Sequence, residues 1–309
     1  MGVFEKNEIR DLKPENKKAR ENLSREKQII KPWGVYERLF VLVMLLLTVG
    51  TSTILALSAR NFKLPNLPKI SIPDFSKLNP FEEDVIVVGN KGSSINLEKI
   101  ENVKKLFKDA TNGYSGIYAF YIYDLNGDYY YGLNHQEKMQ AASLIKLPVM
   151  YLAIQDEKKW PDVLAMGKKS DNNIYLKILE TLGKENINKA ILDLGMINTS
   201  LSENITTPED IGLFFKKLYK KELLSDDLTN KFLESLTDTN FEKWLRLGIP
   251  SEIRLAHKYG REVHSVNDAG VVMSSRPFVL VIMTDGVVEK EADELFPKLT
   301  KLLYTEHTR

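Results

Sequence analysis

The chain has 309 residues, and 43 Lys and Arg stand against 42 Asp and Glu, so its formal net charge is +1. This balance gives no indication of a nucleic-acid partner. Hydrophobic residues make up 43% of the chain, enough for a packed core. The sequence has no cysteine, which excludes disulfides, thiolate nucleophiles and cysteine-based zinc sites. Its four histidines lack the zincin spacing, so we expect no metal or other cofactor. Any catalysis is then expected to come from Ser, Lys, Asp, Glu or Tyr.

The N-terminal part of the chain predicts a membrane anchor. Residues 1–38 are highly charged and predict a cytoplasmic tail that is disordered or marginally helical. Residues 39–59, LFVLVMLLLTVGTSTILALSA, carry no charge. A helix of this length rises roughly 30 Å, the thickness of a bilayer's hydrocarbon, so we predict a retained single-pass transmembrane helix. The alternatives are a buried core helix and a signal peptide cleaved near Ala56-Leu57-Ser58, although its charged leader would be unusually long.

Basic residues around this segment predict its orientation. Six of them precede it closely and four follow it, a weak excess that places the N-terminus in the cytoplasm and the rest of the chain outside the cell membrane. Residues 60–93 contain four prolines and predict a semi-stiff extracytoplasmic linker. Residues 94–309 remain for one domain.

Periodicity within residues 94–309 predicts alternating blocks of helices and strands. Asn126-Gly127 separates two aromatic and β-branched runs, which predicts a hairpin. Thr207 followed by Pro208 predicts a helix start. The element order predicts an α+β domain with a five-stranded antiparallel sheet flanked by N- and C-terminal helices. The other predicted helices cover 95–110, a segment opening at Ser143, 172–182, 185–194, 226–236 and 291–304. After the Ser143 helix, a polar stretch is predicted up to about residue 170. Three further strands are predicted over 253–260, 264–274 and 278–286.

The stretch AASLIKLPVM, residues 141–150, contains a candidate nucleophile. Lys146 follows Ser143 by one helical turn and lies among apolar residues. Desolvation favours its neutral amine, which can accept a proton from a hydroxyl. Such a pair is weak evidence alone, because Ser24 and Lys27 repeat it in the charged tail. The alternative is that Ser143 caps a helix and Lys146 extends its amine to solvent.

Two further motifs give the pair a context. SDN occurs at residues 170–172, and KYG at residues 258–260 ends a predicted strand. Together with the Ser-x-x-Lys pair they resemble, in the same order, the motifs of class A β-lactamases and penicillin-binding proteins. The resemblance covers about residues 94–305 and implies a penicillin-recognising serine hydrolase with a β-lactamase-like fold.

The resemblance implies a role for each polar residue. Ser143 would be the acylated nucleophile, and Lys146 would accept its proton. Ser170 would relay that proton to the leaving nitrogen. Lys258 would place positive charge beside the serine and keep Lys146 neutral by repulsion.

Substrate contacts also follow from the resemblance. Asn172 would bind the substrate's amide side chain. The backbone N–H groups of Ser143 and of Arg261, which follows Gly260, would form the oxyanion hole. Asp171 would bond locally within its turn.

The chain departs from the family in three places. Tyr259 stands where the family has Thr or Ser, so Arg261 would take over the substrate carboxylate. Only 24 positions separate Lys146 from Ser170, so the helical subdomain is shortened. Glu203 lacks the surroundings of the glutamate that deacylates class A enzymes, so we expect acylation with slow turnover.

These features predict a membrane-anchored serine hydrolase that forms an acyl-enzyme with a β-lactam or a D-Ala-D-Ala-like amide. Its partners would be a β-lactam or cell-wall peptide and, through residues 39–59, the lipid bilayer. The first alternative is a catalytically weak or inactive module that binds penicillin or cell-wall peptide. A small-ester hydrolase on the same scaffold is the second.

Overall fold

A computed structural model describes the backbone of residues 35–59 and 96–309, and the side chains of residues 39–53 and 96–309. The predicted linker, 60–93, and nearly all of the predicted tail, 1–38, lie outside the described residues. The predicted transmembrane segment falls on the first helix, α1 (Val35–Ala59). Within the described part of the chain, no helix combines the length and the apolar character needed to cross a membrane, so that prediction is not confirmed.

Seven strands form two sheets in the described part of the second unit, Leu78–Arg309. The larger sheet has five strands in the order β2-β1-β7-β6-β5, and each neighbouring pair is antiparallel. This arrangement confirms the predicted five-stranded antiparallel sheet. A small β3-β4 sheet was not predicted. The strands are β1 (Ile117–Asp124), β2 (Tyr129–Leu133), β3 (Met139–Gln140), β4 (Ile205–Thr206), β5 (Arg254–Glu262), β6 (Ser265–Met273) and β7 (Phe278–Asp285).

Most of the helices begin and end close to their predicted limits, but two helices, Trp160–Lys169 and Leu245–Gly248, were not predicted. Thr207 caps its helix as predicted, because its hydroxyl accepts the Asp210 N–H at 3.1 Å. The prediction of a polar stretch up to residue 170 is wrong, since a helix forms there. The helices are α2 (Leu97–Thr111), α3 (Lys146–Ala153), α4 (Trp160–Lys169), α5 (Asn172–Leu182), α6 (Lys184–Asp193), α7 (Pro208–Tyr219), α8 (Asp226–Ser235), α9 (Leu245–Gly248) and α10 (Glu289–Thr308), with 3-10 helices at Ala142–Ile145 and Glu157–Lys159.

Helix α4 has a physical explanation in its sequence. A proline in the first turn fits helix geometry, since the missing N–H has no partner there. Val163, Met166 and Gly167 are buried at helical spacing, while charged residues cover the other face. The basic residues at both ends obscured this short apolar stripe.

Both faces of the large sheet are buried. Along β1, Ala119 and Tyr121 face a layer that includes α3 to α8, whereas Phe120 and Ile122 face α2 and α10. This alternation is the two-residue period of a strand, and it splits the core into two clusters. Strand β5 lies at one edge of the sheet, and the candidate site forms beside that edge.

Candidate active site

Ser143 lies in the 3-10 helix Ala142–Ile145, called the serine turn below, which leads directly into α3. The residues that cap these two helices are Ala141 and Ile145, and neither caps with its side chain. The alternative that Ser143 is a helix cap is therefore wrong. Ala142 has a φ of 49°, a left-handed conformation that non-glycine residues adopt at a cost on the order of 1 kcal/mol and that concentrates at functional sites.

The sheet holds the serine turn from two neighbouring strands. On β6, the buried Asn267 donates from Nδ2 to the Gln140 carbonyl at 2.7 Å. On β5, Gly260 allows close approach, because an added Cβ would lie 2.9 Å from the Ser143 nitrogen. A larger residue at 260 would push the strand away from the nucleophile.

Two buried lysines converge on Ser170. Lys146 is 2% exposed, and its Nζ donates to the Ser170 carbonyl at 2.6 Å, to Ser170 Oγ at 3.2 Å and to Asn172 Oδ1 at 2.6 Å. Lys258 is 1% exposed, and its Nζ donates to Ser170 Oγ at 2.9 Å and to the Tyr259 carbonyl at 3.0 Å. The alternative that Lys146 extends into solvent is therefore wrong.

The burial of these amines changes their acidity. Burial lowers the pKa of Lys146 to about 8, with Asp171 opposing the change. Burial, together with repulsion from Lys146, lowers the pKa of Lys258 to about 7, and Asp268 opposes the change. Because the two amines repel each other, losing one proton relieves the pair near neutral pH. A neutral amine beside a hydroxyl can act as a general base.

Ser170 is held by the junction of α4 and α5. It ends α4 in a left-handed conformation, with φ 54° and ψ 37°, which turns both its carbonyl and its hydroxyl toward Lys146. Asp171 then caps α5 by accepting the Ile174 N–H at 3.0 Å. This local role agrees with the sequence interpretation of Asp171. Asn172 is the first residue of α5, and its carboxamide oxygen accepts a hydrogen bond from the Lys146 amine.

The Ser143 side chain is partly exposed. Within residues 39–53 and 96–309 its hydroxyl makes no hydrogen bond, and the lysine amines instead bond Ser170 and Asn172. Catalytic hydrogen bonds are often long without substrate and tighten when it binds. Proton transfer from Ser143 to Lys146 stays a prediction.

Tyr259 and Arg261 make contacts within the protein. Tyr259 stacks between Trp244, with ring centroids 3.8 Å apart, and Phe241, at 5.0 Å. Arg261 Nη1 donates to Asp293 Oδ2 at 2.8 Å. Side chains alternate along β5, so these two residues point away from the face that carries Lys258. Their predicted substrate contacts stay predictions, although both side chains already have partners.

The acidic residue considered for deacylation lies in a loop. Glu203 is exposed, and its backbone N–H donates to Ser200 Oγ at 3.3 Å. In the described part of the chain, no three His, Asp or Glu side chains form a group suited to a metal ion.

A buried ionic cluster behind β5, called the histidine cluster below, was not predicted from the sequence. His257 Nδ1 lies 2.8 Å from Asp268 Oδ1, and His257 Nε2 lies 3.2 Å from Glu242 Oε1. Burial alone would lower the pKa of His257, but the two carboxylates raise it to about 9. No local sequence pattern indicates this cluster, because the pairing of His257 with Asp268 depends on the register of β5 and β6.

The sheet, the two helical layers and the three motifs define a β-lactamase-like serine hydrolase. The chain belongs to the beta-lactamase enzyme family, whose sequence profile matches residues 100–159 and 162–307. No curated protein matches the chain.

Several solved structures share the fold. One, described as PBP-A, is 18% identical, covers 68% of this chain and 96% of its own, and has a TM-score of 0.62. The TLA-1 extended-spectrum β-lactamase is 14% identical, covers 68% of this chain and 100% of its own, and has a TM-score of 0.62. A β-lactamase from Burkholderia phymatum is 17% identical, covers 68% of this chain and 99% of its own, and has a TM-score of 0.61. Identities this low establish the fold alone.

Proposed function

We propose that this chain is a serine hydrolase in which Ser143 is acylated by a β-lactam or a D-Ala-D-Ala-like amide. The observation that carries the proposal is the convergence of Lys146 and Lys258 on the hydroxyl of Ser170. Packing does not require two buried amines, which are unfavourable in a protein interior unless they are paired or neutral. Strongly shifted lysines in a polar cluster are candidates for catalytic work.

Each group would have a defined part in the acylation. Ser143 Oγ forms a bond to the substrate carbonyl carbon while its proton passes to the neutral amine of Lys146. When the tetrahedral intermediate collapses, the carbon–nitrogen bond breaks and the leaving nitrogen takes a proton through Ser170. The amine of Lys258 would donate a hydrogen bond to the negatively charged group of the substrate, and the N–H groups of Ser143 and Arg261 would donate to the oxyanion.

A structural relative supports the choice of a β-lactam as the acyl donor. A PBP-A variant with a TM-score of 0.60 and 18% identity was solved as an acyl-enzyme complex with penicillin G. That complex concerns the relative, and we extend its ligand class to this chain as a proposal. An acyl donor with a carboxylate would also favour the cation of Lys258, because a nearby opposite charge raises the pKa of an amine.

Turnover of the acyl-enzyme is proposed to be slow. Hydrolysis requires a base that activates water beside the acylated serine. Glu203, the acidic residue in the relevant loop, is exposed, and no side chain in the described part of the chain hydrogen-bonds the Ser143 hydroxyl. A persistent adduct is therefore expected, as in a penicillin-binding protein.

A binding module without catalysis is the second candidate, and one observation favours it. The three hydrogen bonds of the Lys146 amine go to Ser170 and Asn172, which uses every donor of an ammonium group. In that state the lysine cannot accept a proton from Ser143. This candidate predicts reversible binding of penicillin or cell-wall peptide and no covalent product.

Labelling with a fluorescent penicillin separates the two candidates. The full-length chain would be incubated with the probe, denatured and followed for covalent fluorescence over hours, with Ser143→Ala as the control. Slow loss of a Ser143-dependent label after removal of free probe supports the proposed function. A label lost within seconds indicates a β-lactamase, and reversible binding without a label indicates the binding module.

We also propose that residues 39–59 attach the chain to a membrane. The support is the sequence, in which twenty-one uncharged residues are rich in Leu and Val. The test compares the full-length chain with Leu46→Arg by sedimentation of membranes in the presence of high salt and of detergent. Attachment predicts that only detergent releases the unmodified chain, and that the arginine variant is partly soluble without it.

A further inference from the structure

The histidine cluster lies directly behind the lysine of the candidate site. His257 precedes Lys258 on β5, and consecutive side chains on a strand point to opposite faces. Asp268 pairs with Tyr259 in the strand register, so it lies diagonally across from His257 on the face away from the site. His257 and Asp268 are both fully buried. The cluster therefore contacts the strand that carries Lys258 without lining the site itself.

The cluster also ties a neighbouring segment to the strand. Residues 236–245, called the bridging segment below, contain Glu242. The backbone N–H of His257 donates to the Leu236 carbonyl at 2.8 Å, and the Leu245 N–H donates to Asp268 Oδ2 at 3.1 Å. Within the segment, Glu242 Oε1 accepts the Thr239 N–H at 2.6 Å. The His257 backbone thus holds the 236 end of the segment to β5, Glu242 holds its middle to the His257 ring, and Asp268 holds its 245 end to β6.

The other side of the bridging segment reaches the turn that carries Ser170. The Asn240 N–H donates to the Lys168 carbonyl at 2.9 Å, and Lys168 Nζ donates to the Thr237 carbonyl. Lys168 stands two positions before Ser170. The segment therefore connects β5, which carries Lys258, with the turn that carries the hydroxyl to which Lys258 is bonded.

The histidine cluster also has a net charge close to Lys258. A protonated His257 between two carboxylates gives the group a net charge of −1. The charged groups that act on Lys258 are Lys146 from α3, which disfavours its cation, and Asp268 from β6, which favours it. Those that face His257 are Asp268 and Glu242. Asp268 is therefore the member of the cluster that acts on Lys258, and it also lies 2.8 Å from His257 Nδ1.

On the basis of the proposed serine-hydrolase function, we infer that His257 is a positioning residue for Lys258. Together with Glu242 and Asp268 it fixes the bridging segment between β5 and the Ser170 turn, and it sets the charge that Lys258 experiences.

Three variants test the inference by charge. His257→Gln retains a donor toward Glu242 and makes the cluster −2, so the pKa of Lys258 rises. Glu242→Gln retains the accepting oxygen and makes the cluster neutral, so the pKa of Lys258 falls. The double variant H257Q/E242Q returns the net charge of the cluster to −1 and restores the pKa of Lys258. Coulomb's law at an effective dielectric of about 20 gives shifts of about one pH unit over distances near 10 Å.

Two measurements on the full-length chain provide the readout. One is an NMR titration of Lys258 through its labelled Cε and Nζ atoms, which does not depend on acylation. The other is the pH midpoint of Ser143 labelling by fluorescent penicillin. Opposite shifts in the single variants, with recovery in the double variant, support the inference. A merely structural role would lower the melting temperature without this change of sign.

The inference and the proposed function fail separately. Absence of label at every pH in the unmodified chain would overturn the proposed function, and the NMR titration would still decide the role of His257. Unchanged Lys258 midpoints, or shifts in the same direction, would overturn the inference. If His257→Gln does not fold, Glu242→Gln decides alone, because the Glu242 side chain is 34% exposed and tolerates a neutral replacement. A downward shift supports the inference and no shift overturns it.

Discussion

Lys258 and Ser170 are 88 positions apart in sequence and are joined by a 2.9 Å hydrogen bond from Nζ to Oγ. This bond connects the edge strand of the sheet with the turn between α4 and α5. Lys146 reaches the same hydroxyl from α3, at 3.2 Å. Three separate parts of the chain thus contribute to one polar cluster beside the serine turn.

Replacing Lys146 with Met is expected to abolish labelling of Ser143 by penicillin, because the group proposed to accept the serine proton is removed. The change also leaves Asn172 Oδ1 without its donor, which costs about 1–3 kcal/mol of stability. Fluorescent labelling and thermal unfolding measure the two effects. The matched control is Lys27→Met, which removes the lysine of the equivalent motif in the tail and should label normally. Normal labelling of a folded Lys146→Met chain would rule out the lysine as the base.

Labelling of Ser143 is expected to become faster as the pH rises through 7 to 8. Burial lowers the pKa of Lys146 to about 8 and that of Lys258 to about 7. The neutral amine of Lys146 is the form that accepts the serine proton, and its fraction rises with pH through this range. The second-order rate constant of labelling between pH 6 and 9 provides the measurement. A rate that is flat or falls across this interval would contradict the assigned role of the amines.

Tyr259→Thr introduces a residue that the family carries at this position, and it is expected to destabilise this chain. The ring stacks with Trp244 at 3.8 Å and with Phe241 at 5.0 Å, so its loss leaves a cavity. We expect a decrease of about 2–4 kcal/mol in the free energy of unfolding. Chemical denaturation measures it, with Tyr114→Thr as the control because Tyr114 is 39% exposed. Equal effects of the two substitutions would show that the stack contributes little.

His307 is expected to make the fold sensitive to acid. Burial lowers its pKa to about 4, although Asp124 opposes the change. In the folded state His307 therefore resists protonation between about pH 6.5, its ordinary pKa, and pH 4. The stabilising contribution is complete above pH 6.5 and is lost as the pH falls toward 4.

His307→Gln tests this contribution. The variant is expected to show a shallower decline of unfolding free energy between pH 6.5 and 4, measured by urea denaturation at each pH. His264→Gln is the control, because the His264 side chain is 65% exposed. An unchanged slope in His307→Gln would place the acid sensitivity in other groups.

Local patterns were sufficient to predict much of the fold. The hairpin around Asn126-Gly127 and the cap at Thr207 depend on residues close in sequence, and both are present. Helix α4 was missed because basic residues surround a stripe of only three buried positions. The small β3-β4 sheet has two residues in each strand, too few for a periodic signal.

The candidate site was only partly accessible to sequence reasoning. Lys146, Ser170 and Lys258 were found by motif, and the structure brings them together. The histidine cluster could not be predicted, because the pairing of His257 with Asp268 depends on the register of β5 and β6. The environment of Tyr259 likewise depends on aromatic partners from the bridging segment.

The most direct test of the central claim is the intact mass of the full-length chain after exposure to penicillin, compared between the unmodified protein and Ser143→Ala. A lysine-activated Ser143 predicts one added penicillin in the unmodified protein, located by peptide mapping to the serine turn, and none in the variant. An unchanged mass in both, or an equal adduct in both, would contradict the account.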